Sequence, residues 1–381
     1  MRYQNTVFHD MLKGVPWSAL ERLVEMSGAD HRVRKLTTKS QLIALLYGQL
    51  SGATSLREVV IGLKSHRARL YHLGAKPAKR STLADANASR PSEVFGALLA
   101  AMMRQAQRGL RRKMAEATYL IDATSVRLNA LSGWASFSAG VFGAKVHVIY
   151  DPNADRPVYS MVTTAKVTDI TAAQAMPIEP GATYVFDLGY YDYRWWAALD
   201  AQDCRIVTRL KSNTPLTVIE ELPVPEDSDI LSDRIGFLPA RQAASRRNPF
   251  QNAVREVRVV IEAGKVLRIL SNDLDASARE IADLYKQRWA IELFFRWVKQ
   301  VLKIKKFLGT SENAVRIQIA VALIAFLLLR RAQAAQTTIN SPLTFARLVA
   351  AHLMGRRRFD RLLEPEPPTQ FNPNQMVLQW S

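Results

Sequence analysis

Between residues 285 and 299, one carboxylate stands among cations and a phenol: Tyr285, Arg288, Glu292, Arg296 and Lys299. At about 100° per residue these five fall within one helical arc of roughly 80°, while Ala290, Ile291, Leu293, Phe294, Trp297 and Val298 fill the opposite arc. The cations outnumber the acid three to one, whereas a solvated helix carries charges of both signs in rough balance. Two readings fit. Glu292 holds a divalent metal while Arg, Lys and Tyr hold phosphates beside it, since metal and basic groups both answer a polyanion. Alternatively, this is an amphipathic helix whose Glu makes a surface ion pair.

A metal-binding Glu needs further acids on elements that fix them. The run Thr118–Leu128 is β-rich and carries Asp122 in its middle, a poor strand residue unless something holds it. Further on, Thr183-Tyr-Val-Phe-Asp187-Leu-Gly189 reads as a buried strand entering a glycine turn. An acid there is fixed by the strand and opened to solvent by the turn, although each Asp alone also fits a turn or cap. Asp192 is the nearest rival to Asp187 and reads better as the cap of a helix carrying Trp195 and Trp196. Lys145–Tyr150 and Pro157–Thr163 complete a three-strand meander with the Asp122 strand. A short helical piece follows near Asp169. Lys145 and His147 lie on the second strand, where a His is more often a packed residue.

Tyr285, Arg288, Glu292 and Lys299 match the Tyr-x2-Arg-x3-Glu-x6-Lys signature of bacterial transposases of the fourth insertion-sequence family, and the run from Lys303 to Ser311 resembles it too. The resemblance implies that Glu292 is the third acid of an Asp-Asp-Glu set. Asp122, in Ile-Asp-Ala-Thr, and Asp187, in Asp-x-Gly-Tyr-x-Asp, resemble the first and second. It further implies that these three are catalytic and hold two Mg2+ ions per site about 4 Å apart, Mn2+ serving as a substitute. The DNA contacts it implies are Tyr285, Arg288 and Lys299, with Arg296, Lys303, Lys305 and Lys306, and Lys145 and His147 resemble a basic pair of the family. The fold implied is α/β: a ribonuclease H-like catalytic core, a mixed sheet flanked by helices, with a β-rich insertion and an all-helical N-terminal domain. The activity implied is cutting at the ends of an insertion sequence and joining the 3′-OH ends to target DNA. The expected partner is double-stranded DNA, held by a homodimer because two ends must be kept together. A stand-alone metal-dependent nuclease and a non-catalytic DNA-binding descendant are the rival readings.

Composition agrees with a nucleic-acid partner. The 381 residues carry a formal net charge of +18 and a sequence pI near 10.1, which points to a polyanion, DNA or an anionic surface. Hydrophobic residues make up 48% and charged residues 23%, enough for a sizeable core. The single Cys204 excludes an intrachain disulfide and fits a reducing cytoplasm, here nucleoid-associated. The N-terminus shows no apolar signal segment. Neither a membrane nor a small-molecule substrate is expected.

The first 120 residues hold twenty Lys and Arg against eight Asp and Glu, a net of +12. Their pattern is helical over Trp17–Val24, Gln41–Tyr47 and Leu56–Leu63. A basic turn, Lys76–Arg80, leads to a further helix for which Ser81 or Thr82 is the expected cap; this fits either a helix-turn-helix reader of DNA ends or an ordinary bundle with a basic face. Leu50–Arg57 and Arg80–Asn87 also resemble the N-terminal domain of a branch of the same family. Arg104, Arg108, Arg111, Arg112 and Lys113 read as a basic helix end. About sixty residues separate the strand Arg205–Leu210 from the Glu292 helix, ending in a hairpin, Val254–Ile261 and Val266–Leu270. In relatives that form a DNA hairpin the insertion offers an aromatic for a flipped base; no Trp occurs between Arg205 and Asp283, which leaves Phe237 or Phe250. Ile317–Leu329 is the most apolar run, thirteen residues against the roughly 20 a bilayer needs, and reads as a core helix. The expected division is 1–115 helical and DNA-binding, 116–210 core, 211–272 insertion, 273–362 core with the Glu helix, and 363–381 a disordered tail.

Overall fold

The computed structural model describes residues 5–107, 117–224, 226, 228–261, 264–301 and 307–365. Arg108, Arg111, Arg112, Lys113, Lys303, Lys305, Lys306 and the tail from 366 lie outside the described residues.

The chain begins with helices: α1 (Val7–Leu12), α2 (Trp17–Ser27), α3 (Thr38–Ser51), α4 (Leu56–Ser65), α5 (Arg67–Leu70), α6 (Arg80–Ser89) and α7 (Ser92–Gln107). Thr37 and Ser55 begin α3 and α4 by accepting the amide hydrogen of the residue three further on, which satisfies a helix end. At α6 the expected cap does not form: the N-cap is Lys79, no side chain bonds to the free amides, and Ser81 and Thr82 lie inside the helix. A buried chain of polar groups joins α3 to the α6–α7 corner, with Gln41 donating to Asn87 at 2.7 Å and Arg90 donating to Gln41 at 2.8 Å.

A mixed sheet follows, built from β1 (Thr118–Leu128), β2 (Ser136–Ser138), β3 (Val141–Asp151), β4 (Arg156–Thr164), β5 (Thr183–Val185) and β6 (Arg205–Arg209), with α8 (Asp169–Ala173) and α9 (Tyr193–Asp200) between strands. β1, β3 and β4 form the expected antiparallel meander, and β5 and β6 continue parallel to β1. Asp192 caps α9 through the amides of Arg194 and Trp195. Next come β7 (Thr217–Leu222), β8 (Ile230–Phe237), a small hairpin of β9 (Arg241–Ala243) and β10 (Arg246–Arg247), β11 (Val254–Val260) and β12 (Val266–Ser271). These strands do not fold apart. β12 pairs antiparallel with β6, so one ten-stranded sheet runs through both regions, in the order β2-β3-β1-β5-β6-β12-β11-β8-β7 with β4 beside β3. Inside the added strands Glu256 is fully buried and paired with Arg234 and Arg268, and Arg268 also donates to the carbonyls of Lys211, Ser212 and Thr214. Phe250 is buried in this region, whereas Phe237 stands exposed at the end of β8.

Alternation along β1 sends Leu120 and Val126 to one face and Tyr119 and Ile121 to the other. The second face is covered by α8, α9 and their aromatic cluster. The first is covered by α10 (Ala278–Gln287), α11 (Trp289–Val301) and α12 (Glu312–Ala334), on which α13 (Pro342–His352) and the N-terminal helices pack in one continuous core. α12 is longer than the apolar run alone indicates, because Ser311 caps it and Glu312 opens its first turn. By length and composition it is apolar enough to cross a membrane, yet its apolar window is 83% buried inside the fold.

Candidate active site

Leu120 pairs with Val185, and Val185 with Val207, and all three face the core beneath α10 to α12. Two residues further along each strand the same face carries Asp122, Asp187 and Arg209, side by side because the period is two. Asp187 follows the end of β5, where its Oδ1 accepts the amide hydrogen of Gly189 at 2.8 Å. Asp122 accepts the amide hydrogen of Ala123 at 2.7 Å. The turn is tight at Gly189: a Cβ there would lie 3.0 Å from Asp187 Oδ1 and 3.4 Å from Asp169 Oδ2, so a larger residue would press on both carboxylates.

The facing helices supply the remaining groups, but not as one rod. α10 ends and α11 begins at Arg288, whose amide reaches back to the carbonyl of Tyr285 at 3.1 Å, while the Ile291 amide bonds to the Arg288 carbonyl at 3.3 Å. These three-residue bonds tighten the turn, so the single arc expected over 285–299 is broken there. The break still leaves the key groups together. The Arg288 guanidinium lies over the Tyr285 ring at 5.7 Å and donates to Glu292 at 2.5 Å.

Asp122 feels two acids that are distant from it in sequence, Asp187 and Glu292. Burial pushes the Asp122 carboxyl up to about 6; the Ala123 amide opposes this, Asp187 and Glu292 add to it, and Arg288 offsets it. Burial likewise raises the Tyr285 phenol, against the pull of Arg288 and Arg209. Burial opposes the charge of Arg288, but Tyr285 and Glu292 outweigh it and hold the guanidinium above its ordinary value. The Nε atoms of both Arg288 and Arg209 are buried without a hydrogen-bond partner among the described residues, so each has a donor to give.

Among the described residues no three His, Cys, Asp or Glu side chains stand close enough to hold a metal ion; Glu292 is engaged by Arg288 instead. The donor set nevertheless fits a divalent cation. Asp122 stands in the field of two further carboxylates, and burial together with those two pushes its carboxyl up, a burden on its charge that a nearby cation relieves.

Other expected site residues stand at the edge of this group or away from it. His147 pairs with Ala123 and Lys145 with Ser125, and directly opposed residues share a face, so both point away from Asp122. There Lys145 binds Asp169 at 3.0 Å, and His147 is fully buried with Nε2 on the Thr163 hydroxyl at 2.8 Å. Burial pulls the imidazole down to about 4, with Lys145 adding to this and Asp169 opposing it. A neutral ring without solvent access does not meet the expectation of a phosphate contact. Arg296 is exposed and stacks on the half-exposed Trp289 at 5.5 Å, while Leu293, expected in the apolar arc, is also exposed. Lys299 stands near Thr124 and Val126 on β1.

Three residues join the site without having been singled out from sequence. Arg209 is found only by aligning strand ends, and Asp169 only through the approach of α8 to Gly189. Tyr190 is buried with its hydroxyl unpartnered among the described residues, in the field of Asp122, Asp169 and Asp187.

Residues 114–328 match a family model described as the transposase DDE domain, and residues 3–76 match a domain of unknown function (DUF4372). The chain is 39% identical over 285 residues to a putative transposase, y4zB, of Sinorhizobium fredii, covering 75% of this chain and 80% of that one. It is 31% identical over 252 residues to a probable transposase for insertion sequence element IS5377 of Geobacillus stearothermophilus, covering 63% of each. A cryo-EM structure of the piggyBac transposase synaptic complex with hairpin DNA overlaps 97% of this chain and 83% of its own, at 11% identity and a TM-score of 0.44. The domain match takes in all three acids and more than half of the chain, and the first relative is matched over most of its length: the chain belongs to the DDE transposases, metal-dependent enzymes that cut and join DNA.

Proposed function

We propose that Asp122, Asp187 and Glu292 are the catalytic acids of this transposase, on a ribonuclease H-like core of the fourth insertion-sequence type. The observation that carries this is the convergence of the three: they come from β1, the end of β5 and α11, and Asp122 feels both of the others. The order β4-β3-β1-β5-β6, antiparallel through the first three and parallel through the rest, supports the ribonuclease H-like assignment.

The three carboxylates would hold Mg2+, two ions per site. When bound, the metal supplies Lewis-acid activation of a water or 3′-hydroxyl and stabilises the leaving oxygen. The chain's own groups position the DNA. Gly189 fixes the Asp187 carboxylate through its amide, and Arg288 orients Glu292. The unpartnered Nε atoms of Arg288 and Arg209 bind phosphate oxygens next to the scissile bond, with Tyr285 packed beneath Arg288. Lys299, on the same side of β1, neutralises a flanking phosphate. The helical N-terminal region binds the element ends, and two copies hold the two ends together.

The test is to incubate the protein and its Glu292→Ala variant with DNA carrying the element's own termini and Mg2+, and to map the breaks. Cleavage at the terminal bonds by the unmodified protein alone is the expected result. Breaks scattered without regard to the termini would assign a stand-alone nuclease. Binding of the ends without cutting would assign a DNA-binding descendant.

A further inference from the structure

The β3–β4 turn and the last turns of α12 enclose a cavity of about 500 Å3, closed on a third side by α7 and by Gly14, just after α1. Asp122 pairs with Val148, whereas Arg156, at the turn, pairs with Asp151. At about 3.3 Å per residue the cavity is therefore displaced roughly 10 Å along β3 from the acids, and it shares no lining residue with them.

Its wall has two halves. Met102, Leu327 and Leu328 form an apolar side, and Arg156, Arg330 and Arg331 a cationic one. The three guanidiniums are not equally engaged. Arg330 pairs with Asp155 and donates to Gln333 at 2.8 Å. Arg331 is exposed at the rim. Arg156 is the exceptional one: its Nε and one terminal nitrogen are buried and have no hydrogen-bond partner among the described residues. Buried donors are normally satisfied, and Asp151, its neighbour across the turn, spends Oδ1 on the amides of Asn153 and Ala154. Burial pulls the Arg156 guanidinium below its ordinary value, and Asp151 restores part of this. An unsatisfied guanidinium edge is a fork shaped for two oxygens of one anion, and Arg331 adds a second positive charge at the mouth.

We infer that this cavity receives one sugar–phosphate unit of bound DNA, the phosphate on Arg156 and Arg331 and the deoxyribose against Met102, Leu327 and Leu328. The assignment rests on the DNA substrate of the family and not on the identity of the catalytic acids. It gives the protein a second anchoring point for the backbone, separate from the place of cutting.

The experiment measures binding of a labelled 20-bp duplex without element termini to the full chain, over a range of salt, by fluorescence anisotropy. Arg156→Gln and Arg331→Gln are compared with Arg288→Gln, which removes a cation beside the acids. Each cavity variant is expected to weaken binding several-fold and to reduce the salt slope by about one unit for the lost phosphate contact. Arg331 is exposed, so its variant tests the site even should Arg156→Gln fold poorly. Unchanged affinity and slope in the cavity variants, with Arg288→Gln alone showing a loss, would overturn the inference. A parallel thermal-unfolding series with inorganic pyrophosphate separates the sources of phosphate. Protection lost in Arg156→Gln while duplex binding stays intact would assign the cavity to a free anion and overturn the DNA assignment. Since the readout is binding alone, failure to cut at the termini would refute the catalytic reading without touching this one.

Discussion

Asp122→Asn should stabilise the metal-free protein while abolishing cleavage. In the folded chain burial, Asp187 and Glu292 raise the Asp122 carboxyl from 3.8 to about 6. A rise of that size corresponds to about 3 kcal/mol, an upper bound because the side chain is partly exposed and local water screens it. The folded state holds this proton more tightly than the unfolded chain does, so stability falls as pH rises between the two values. The ionised group therefore weakens the fold in full above about pH 6, and the penalty fades as pH drops toward 4. Asparagine keeps the Oδ1 acceptor for the Ala123 amide and never ionises. Urea unfolding in EDTA, run from pH 4.5 to 7.5, should show the variant gaining on the unmodified protein as pH rises, reaching about 1.5–3 kcal/mol above pH 6.5. Adding Mg2+ should shrink or reverse the difference, because only the intact acid set gains from binding. A variant less stable than the original at pH 7 in EDTA, or a difference that does not change with pH, would refute the reasoning.

Tyr190→Phe removes a buried hydroxyl that has no partner among the described residues; unfolding in EDTA should show a change between zero and a gain of about 1 kcal/mol, and a clear loss would mean the hydroxyl is satisfied. Glu256→Gln takes the charge from between Arg234 and Arg268 and should cost about 3–5 kcal/mol, read as a lower urea midpoint. A Cβ on Gly236 would collide with the Thr217 carbonyl on the neighbouring strand. Gly236→Ala should therefore cost about 1–3 kcal/mol and bring earlier proteolytic cutting in β7.

What was legible in the sequence was chemistry that sits badly in its local element. Asp122 inside a β-rich run and Asp187 at a glycine turn both announce a constraint, and the structure finds the first within β1 and the second just past the end of β5. The meander, the Asp192 cap and the β11–β12 hairpin also follow from local pattern. What was not legible depends on partners. Nothing in Gln287-Arg288-Trp289 marks a helix break, since no Gly or Pro is present and the tightened turn accompanies the contacts of Arg288 with Tyr285 and Glu292. The side to which Lys145 and His147 point follows from the pairing of Ala123 with His147, a register no single strand reveals. Arg209 joins the acids only once β5 and β6 are known to run parallel.

The pairing of β12 with β6 bears on how this enzyme can be altered. The segment 211–272 is bonded edge to edge with the strand that carries Arg209, so it is no detachable cassette. Cutting it out would leave the backbone of β6 open along a row that β12 now fills, inviting pairing with other chains. Grafts at this position must therefore bring a strand of matching register to β6.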